Sequence, residues 1–373
     1  MLSYYAIGLG LFDYFKSVKA WIRWFRRKEY EMKKLVLFCS VFVFAYYSCS
    51  DGLNQNDPGN PPELDQYEWK NITTSPPNPR VESAMVYDSD NEKIILFGGR
   101  DNNWQMLNET WEYDIASNSW NQLYTNVKPE GRLFHSMAYD PIGGQTILFG
   151  GYDGQQALND LWVFNYITKT WQQLQSSNSP PARYLHAMTF DSEHNALIVF
   201  GGRFHNASQI YTLNDTWAYQ FNNNTWVLLN SPVSPQAQDH SNMAYDPQEQ
   251  KVVLFGGNGS NGSLGDTWVY DYSANQWSQM HPLHVPSPRD HLVMAYDSAG
   301  QGIILVGAGV GSDVDSWLYR FSENQWYKVN PSSKLPTGRD HMQGTSSGSQ
   351  FFFYGGFSGG AAPHRDMWIL KAN

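Results

Sequence analysis

Cysteine is nearly absent from this chain. Its 373 residues include two, Cys39 and Cys49, and both lie near the N-terminus. The long remainder can therefore form no disulfide of its own and perform no thiol chemistry. Helical periodicity is also scarce after residue 50, whereas Phe, Trp and Tyr make up 16% of the chain. These features together predict an all-β domain that is held together by apolar packing.

Positive charge is scarce outside the N-terminal segment. The formal charge of the chain is −10, and residues 1–34 hold eight Lys and Arg against three Asp and Glu. That gives the first 34 residues a net charge of +5 and leaves about −15 for the rest. Because contacts to phosphate supply most of the affinity for nucleic acid, so acidic a domain excludes nucleic acid as a partner.

Signatures of catalysis are missing as well. The sequence contains no HExxH and no GxxxxGKS/T phosphate-binding loop, which are the patterns that mark metalloproteases and nucleotide enzymes. We therefore expect no cofactor and no metal, and the sequence favours a role without catalysis.

What fills the chain from about residue 64 to its end is one pattern, repeated six times. Each copy has an aliphatic run that ends in a glycine pair, and the fifth copy has the degenerate form Gly307-Ala308-Gly309. The pairs are Gly98-Gly99, Gly150-Gly151, Gly201-Gly202, Gly256-Gly257 and Gly355-Gly356. Two Trp residues nine positions apart follow: Trp111/Trp120, Trp162/Trp171, Trp217/Trp226, Trp268/Trp277 and Trp317/Trp326.

Each copy divides into four short strand signals that are separated by turn residues. In the second copy the predicted strands cover residues 135–139, 146–149, 161–165 and 170–174. Four antiparallel strands in about fifty residues is the period of a kelch propeller blade. An Arg eight residues before an Asp also recurs, as in Arg132 and Asp140. On these residues the chain resembles the kelch-repeat family, and the resemblance implies an all-β, six-bladed propeller over residues 64–373.

The ends of the chain predict how the ring closes. Trp368 belongs to a third strand, but the chain stops at Asn373, before a fourth strand could follow. Residues 66–72, with the lone Trp69, precede the first blade. We expect this N-terminal segment to supply the missing strand of the sixth blade, so that no edge stays open.

The first 63 residues are interpreted as three segments. Residues 1–31 are an upstream leader or a mis-assigned start, or alternatively an amphipathic segment that lies on a membrane. Residues 32–49 begin with basic residues, continue with an apolar run and end in a cleavage region of small residues, as in a secretory signal peptide. The exit resembles a lipoprotein signal with lipid on Cys49, and ordinary cleavage after Ser50 is the alternative. Residues 50–63 are a flexible linker. We thus expect an exported protein, periplasmic or at the cell surface, anchored to a membrane through Cys49.

The longer second-to-third connections and the connections between blades should emerge on one face, where binding is expected. An arginine column enters the first strands there: Arg80, Arg132, Arg183, Arg289 and Arg339, with Gln238 in the fourth copy. These guanidinium groups could bind a carboxylate or an acidic peptide, for which kelch domains use arginines at a similar place. Alternatively they serve the repeat itself, with Asp239, Asp290 and Asp340 as neighbouring partners.

Further candidate ligand-binding residues fall on the same face. Histidines follow the column: His135, His186, His240, His291 and His341. The last three are offset by one residue from the first two, so we expect them to point to the opposite side of the sheet. The loops add Arg100, Arg203, Trp104, Tyr152 and Phe204. Their aromatic rings suit either sugar stacking or anchoring of the loops.

Three functions remain open at this point. The sequence favours an exported binding module that takes a protein or glycan on its Arg- and His-lined channel face. The alternative is an enzyme, a sugar-acid mutarotase, because the chain also resembles six-bladed kelch mutarotases. The catalytic residues of those enzymes cannot be assigned to positions in this sequence. The third possibility is a structural part of a surface assembly.

Overall fold

The computed structural model describes residues 61–72, 77–176, 178–308, 314–358 and 363–373. Segments 1–31 and 32–49, the proposed lipidation site Cys49 and most of the linker lie outside these residues. Every regular element in the described ranges is a β-strand, as the sequence predicts. Within them, no helix has the length and apolar character needed to cross a bilayer.

Two short strands precede the first complete blade: β1 (Glu63–Leu64) and β2 (Tyr67–Ile72). Blade one is β3 (Ala84–Asp88), β4 (Lys93–Phe97), β5 (Thr110–Asp114) and β6 (Ser119–Leu123). Blade two is β7 (Ser136–Asp140), β8 (Gln145–Tyr152), β9 (Ala157–Asn165) and β10 (Thr170–Leu174). Blade three is β11 (Ala187–Asp191), β12 (Ala196–Phe200), then the loop hairpin β13 (Arg203–His205) and β14 (Ile210–Thr212), then β15 (Thr216–Gln220) and β16 (Thr225–Leu229).

Blade four is β17 (Asn242–Asp246), β18 (Lys251–Phe255), the hairpin β19 (Asn258–Gly259) and β20 (Gly262–Ser263), then β21 (Thr267–Asp271) and β22 (Gln276–Met280). Blade five is β23 (Val293–Asp297), β24 (Gly302–Ala308), β25 (Val314–Arg320) and β26 (Gln325–Val329). Blade six is β27 (Gln343–Ser346), β28 (Gln350–Tyr354) and β29 (Met367–Ala372).

The ring closes as the sequence predicts. Strand β2 pairs antiparallel with β29, from Tyr67 opposite Ala372 to Ile72 opposite Met367. The N-terminal segment is thus the outer strand of blade six. Trp69 is buried there, and its ring packs edge-on against Phe353 at 5.3 Å. Sequence analysis missed one element: β1 adds a short parallel strand to the outer edge of blade five, where Leu64 lies opposite Val329.

Tryptophans join neighbouring blades. The fourth-strand residues Trp171, Trp277 and Trp326 are buried. Their indole N–H groups donate 2.9 Å hydrogen bonds to the hydroxyls of Thr110, Thr216 and Thr267, which begin the third strands of the preceding blades. Each of these rings therefore removes apolar area from water and also satisfies its one polar atom inside the core. Trp69, Trp120 and Trp226 occupy the same position and are buried as well, but their indole N–H groups have no hydrogen-bond partner among the described residues. Burial of the ring is therefore what the fixed spacing provides in every blade.

The first strands of the six blades surround a central channel. Its wider part has a volume of about 520 Å³ and is lined by residues of all six first strands. The lining extends to the first-to-second turns, including Ser89, Pro141, Ser192 and Pro247. We call this end of the propeller the turn face. The opposite end, where the second-to-third and blade-to-blade connections emerge, is the loop face.

Candidate functional site at the channel mouth

The arginine column lies inside the blades, not on their surface. Arg80, Arg132, Arg183, Arg289 and Arg339 are all at most 4% exposed. Arg132 is typical of the set. Its guanidinium group donates to both carboxylate oxygens of Asp160, at 2.6 and 2.8 Å, and to the carbonyl oxygen of Gly150 at 3.0 Å. The structure therefore commits these donors to the blade, and little remains for a ligand.

The acids that pair with the column are not the neighbours that the sequence suggested. The partners are instead Glu109, Asp160, Asp215, Asp315 and Asp366, each two residues before a third-strand Trp. The same carboxylates accept the indole N–H of that Trp, as Asp160 does from Trp162. Burial by itself would raise the pKa of Asp160, but the hydrogen bonds and charge of Arg132, with the Trp162 donor, hold that pKa below its usual value.

Blade four shows what happens when the arginine is replaced. Gln238 keeps the bond to the glycine carbonyl, donating to Gly256 at 3.1 Å. Asp266, which occupies the place of the paired acid, is exposed and accepts from Gln279 instead. The acid thus packs against the blade where an arginine pairs with it. This indicates that the ion pair belongs to the structure of the repeat.

Two residues after the column, one side chain from each blade forms a ring that we call the collar. Its members are Glu82, Phe134, Leu185, His240, His291 and His341. All six have φ between 54° and 63°, a conformation that bulky side chains rarely adopt. Backbone bonds of 3.0 Å run from Phe134 N–H to the carbonyl of Glu82, from Leu185 to Phe134 and from His240 to Leu185. These bonds link four of the six collar residues from blade to blade at the loop-face end of the channel.

Three histidines form one arc of the collar. The ring centroids of His240 and His291 are 4.1 Å apart, and those of His291 and His341 are 3.8 Å apart. Each Nδ1 contacts the carboxylate of the preceding residue: Asp239, Asp290 or Asp340. Because a carboxylate can only accept, Nδ1 carries the proton and donates it. Burial lowers the pKa of His291, and the neighbouring His240 and His341 lower it further, against the opposing effect of Asp290.

The other two histidines lie elsewhere, as the one-residue offset suggests. His135 and His186 are buried beneath the collar, with their rings edge-on to Phe97 and Phe149. Burial lowers the pKa of His135 to about 3. These two side chains are therefore neutral packing groups, and the five histidines do not form one ring. Among the described residues, no group of three or more His, Cys, Asp or Glu side chains is arranged to hold a metal ion.

Phe134 and Leu185 give the collar an apolar part, which continues outward as an aromatic path. Phe134 lies 6.1 Å from Tyr184, Tyr184 lies 5.3 Å from Tyr152, and Tyr152 stacks on His205 at 5.3 Å, each measured between ring centroids. Of the predicted candidates, Tyr152 lies on this path. The path leads from the channel mouth to the loop hairpin of blade three.

The remaining loop candidates flank this surface. Phe204 stacks on Tyr211 at 4.8 Å across the hairpin. Arg100 forms a two-pronged ion pair with Glu82 of the collar, at 2.6 and 2.8 Å, and lies 3.6 Å from the ring centre of Trp104. Trp104 itself is 73% exposed. Arg203 pairs with the buried carboxylate of Asp239 at 2.6 Å. Both loop arginines thus brace the collar, while Trp104 stays accessible.

Large exposed apolar side chains concentrate on this end of the described structure. Those in loop-face connections are Trp104, Tyr124, Val127, Ile210, Tyr211, Val233, Leu283 and Val285. The turns of the opposite face expose Ile142 and Ile167. Sequence reasoning missed Glu82, Phe134, Leu185 and Tyr184, although their position two or one residues after the column could have indicated them.

Comparison with known proteins agrees with the fold. A family model described as the KLHDC2/KLHL20/DRC7 Kelch-repeats domain matches residues 41–182 and 175–356. An F-box/kelch-repeat protein of Arabidopsis thaliana is 31% identical over 216 residues, covering 53% of this chain and 43% of that protein. Kelch domain-containing protein 1 of Mus musculus is 29% identical over 231 residues, covering 54% of each.

A third relative, Kelch domain-containing protein 10 of Xenopus laevis, is 25% identical over 247 residues, which is 62% of this chain and 57% of that protein. The chain spans about half the length of the curated relatives that it matches. The family model, by contrast, covers most of the repeats described above. The chain therefore belongs to the kelch-repeat family of β-propellers.

Proposed function

We propose that this protein is a binding module that takes a protein partner on its loop face, at the collar and the aromatic path. The observation that carries the proposal is the division of the channel mouth. One arc offers Phe134, Leu185 and Tyr184, and the other offers three Asp–His pairs. Such a surface combines an apolar contact area with hydrogen-bonding groups that fix orientation, as interface cores do.

The backbone of this site is built to stay rigid. Hydrogen bonds between blades link four of the six collar residues, and the carboxylates of Glu82 and of Asp239 beside the collar are paired with Arg100 and Arg203. A partner would therefore pay little to order the site, which favours affinity. The exposed rings of Trp104 and Tyr211 at the periphery are the side-chain types that contribute most to protein interfaces.

Peptide display on the purified chain tests the proposal. Peptides selected on the wild-type protein should compete with one another, and Trp104→Ala and Phe134→Ala should weaken their binding by tenfold or more, the loss of about 1.4 kcal/mol. Ile167→Ala is the matched control, because Ile167 is 76% exposed but lies on the turn face. If the control loses binding equally, or if no peptide is selected while a glycan array gives saturable binding, the protein-binding function is wrong.

We also propose that the protein is exported and carries lipid on Cys49, for which the basic start, apolar run and Ser48-Cys49-Ser50 exit are the support. Expression of the full chain followed by membrane fractionation and mass spectrometry tests this. Wild-type protein should sediment with membranes and begin at a modified Cys49, and Cys49→Ser should be released. An unmodified protein that begins at Asp51 would indicate plain export instead.

A further inference from the structure

The turn face carries a hydrogen-bonded row of three side chains that the loop-face surface does not include. Asp191 ends the first strand of blade three, and His194 lies in the turn that follows. Nδ1 of His194 lies 2.9 Å from Oδ2 of Asp191, and Nε2 lies 2.9 Å from the hydroxyl oxygen of Ser273. Ser273 lies in the third-to-fourth turn of blade four, which emerges at the same end of the propeller. A carboxylate, an imidazole and a hydroxyl joined in this order are the arrangement that activates a serine as a nucleophile.

The buried carboxylate of Asp191 fixes the tautomer of the imidazole. Asp191 is 1% exposed, and its Oδ1 accepts the backbone N–H groups of Glu193 and His194 at 3.0 and 3.1 Å, while Oδ2 faces the ring of His194. Because a carboxylate can only accept, Nδ1 of His194 carries the ring proton, and the lone pair of Nε2 points to the hydroxyl of Ser273. The negative charge of Asp191 also stabilises the imidazolium that forms when His194 takes a proton from the serine.

An aromatic contact holds the ring of His194 in place. Its centroid lies 4.6 Å from that of the Tyr272 ring, and the Tyr272 hydroxyl accepts a hydrogen bond of 3.1 Å from the side chain of Gln220. The side chain of His194 is 23% exposed, and Ser273 is exposed. The base is therefore braced from both blades, while the nucleophile is accessible from solvent.

The repeat does not require this row of side chains. His194 is the third residue after the Asp that ends the first strand, and the other blades with that Asp have different residues there: Asn91, Gly143, Glu249 and Gly300. Ser322 of blade five is equivalent to Ser273 and is also exposed, but the neighbouring turn of blade four has Glu249 where blade three has the histidine. Among the described turns, base and nucleophile thus meet at the boundary between blades three and four.

The backbone around the serine limits the reaction that it can perform. The N–H of Ala274 donates to Asp271 at 3.0 Å, and the N–H of Ser273 is bonded to the same carboxylate. These amides are therefore not free to stabilise an oxyanion, and each such donor is worth about a hundredfold to a thousandfold in rate. A slow reaction that depends on a good leaving group fits this geometry. Because Ser273 is exposed, the acyl group of the substrate needs no deep pocket and can be small.

We propose that Ser273 is a nucleophile, with His194 as its general base and Asp191 as a positioning residue, and that small esters with a good leaving group acylate it. The serine oxygen bonds to the carbonyl carbon while its proton passes to Nε2 of His194. The bond from that carbon to the leaving alcohol breaks, and the alcohol takes the proton from Nε2. Water then attacks the acyl-serine and gives a proton to Nε2, and the serine departs with that proton as the carboxylic acid is released. This activity lies at the opposite end of the propeller from the proposed protein-binding surface.

Covalent labelling of the purified full-length chain tests the proposal. A fluorophosphonate probe should attach to Ser273, as located by peptide mass spectrometry, and p-nitrophenyl acetate should be hydrolysed slowly. Ser273→Ala should remove both reactions. His194→Asn should slow both by about a hundredfold or more, the usual contribution of a general base, and an Asn already occupies this position in blade one as Asn91. Ser322→Ala is the matched control and should change neither reaction.

The positioning role of Asp191 has its own measurement. In Asp191→Asn the side-chain amide would donate to Nδ1 of His194 and move the ring proton to Nε2, where it blocks the base. Labelling should then fall, and the nitrogen chemical shifts of the His194 ring should show the exchanged tautomer. A residue with a structural role alone would lower the melting temperature and leave the tautomer unchanged.

Two results would overturn the proposal. One is labelling of Ser273 that is no faster than labelling of Ser322, which would make Ser273 an ordinary exposed serine. The other is labelling and hydrolysis that continue at the wild-type rate in His194→Asn protein that melts cooperatively. If His194→Asn fails to fold, Asp191→Asn and the comparison of Ser273 with Ser322 decide. Neither result bears on the loop-face function, which is tested with peptides and with Trp104→Ala and Phe134→Ala.

Discussion

Removing one arginine of the column should show whether it serves the blade. We expect Arg132→Gln to destabilise the propeller by about 3–5 kcal/mol, the usual cost of breaking a buried ion pair while one charge stays behind. Arg132 is 1% exposed, and its loss would leave Asp160 with the Trp162 N–H as its remaining side-chain donor. The bond to the Gly150 carbonyl could survive, because Gln238 makes the same bond in blade four.

The measurement is a urea titration followed by tryptophan fluorescence, on wild type, Arg132→Gln, Asp160→Asn and the double variant. The double variant should be more stable than the sum of the single losses predicts, by about 0.5–3 kcal/mol, because it removes both charges together. Gln238→Ala is the matched control in blade four. It removes a neutral hydrogen bond to Gly256 and should cost about 1–2 kcal/mol.

The reasoning would be refuted by an Arg132→Gln variant that is as stable as wild type and loses binding of peptides selected on the loop face. That result would mean that the guanidinium group serves a ligand. A loss of stability together with unchanged peptide affinity would assign the whole column to the blades, since the other four arginines make equivalent contacts.

Three further predictions concern the fold. Burial lowers the pKa of His135 to about 3 and holds that of His186 well below its usual value, whereas both rings protonate near 6.5 when unfolded. Stability should therefore fall as pH drops from 6.5 to 4, by about 1.4 kcal/mol per unit for each ring, and replacing both with Leu should flatten this slope in urea titrations at several pH values. Trp69→Ala should cost about 3–5 kcal/mol in thermal or urea unfolding, because it removes a buried ring from the strand that closes the propeller. Gly150→Ala should lower the melting temperature, since φ is +64° and a Cβ would lie 2.6 Å from a carbonyl oxygen of the next blade; Ile142→Ala, in an exposed turn, should not.

The repeat made the fold predictable from the sequence. The glycine pairs and the Trp spacing recur several times at one period. A strand that is hard to assign in one copy can therefore be assigned from the other copies. The closing strand could be predicted by counting the strands of each copy. Trp368 marks a third strand without its fourth, Trp69 marks a fourth strand without its third, and the structure pairs these two strands. What could not be predicted was β1, since two residues with one apolar side chain carry no period.

The site was predicted less well, for a physical reason. The recurrence of an Arg does not show whether its side chain is exposed. Here the Arg forms an ion pair with the acid two residues before a third-strand Trp. The collar could not be recognised in the sequence because its six members are of four residue types, Glu, Phe, Leu and three His. Their shared property is a positive φ, which a sequence of non-glycine residues does not reveal.

That contrast indicates where function lies in this propeller. Positions that recur in all or nearly all copies, such as the fourth-strand Trp residues and the glycine pairs, are buried and serve packing between blades. Positions that occupy equivalent places but differ in chemistry cannot be explained by the repeat, and the collar is such a set. Blades four to six place Asp–His pairs there, whereas blades two and three place Leu133 with Phe134 and Tyr184 with Leu185. If the loop face binds a partner as proposed, the collar is where that partner would meet groups that differ from blade to blade, because the repeated positions are buried.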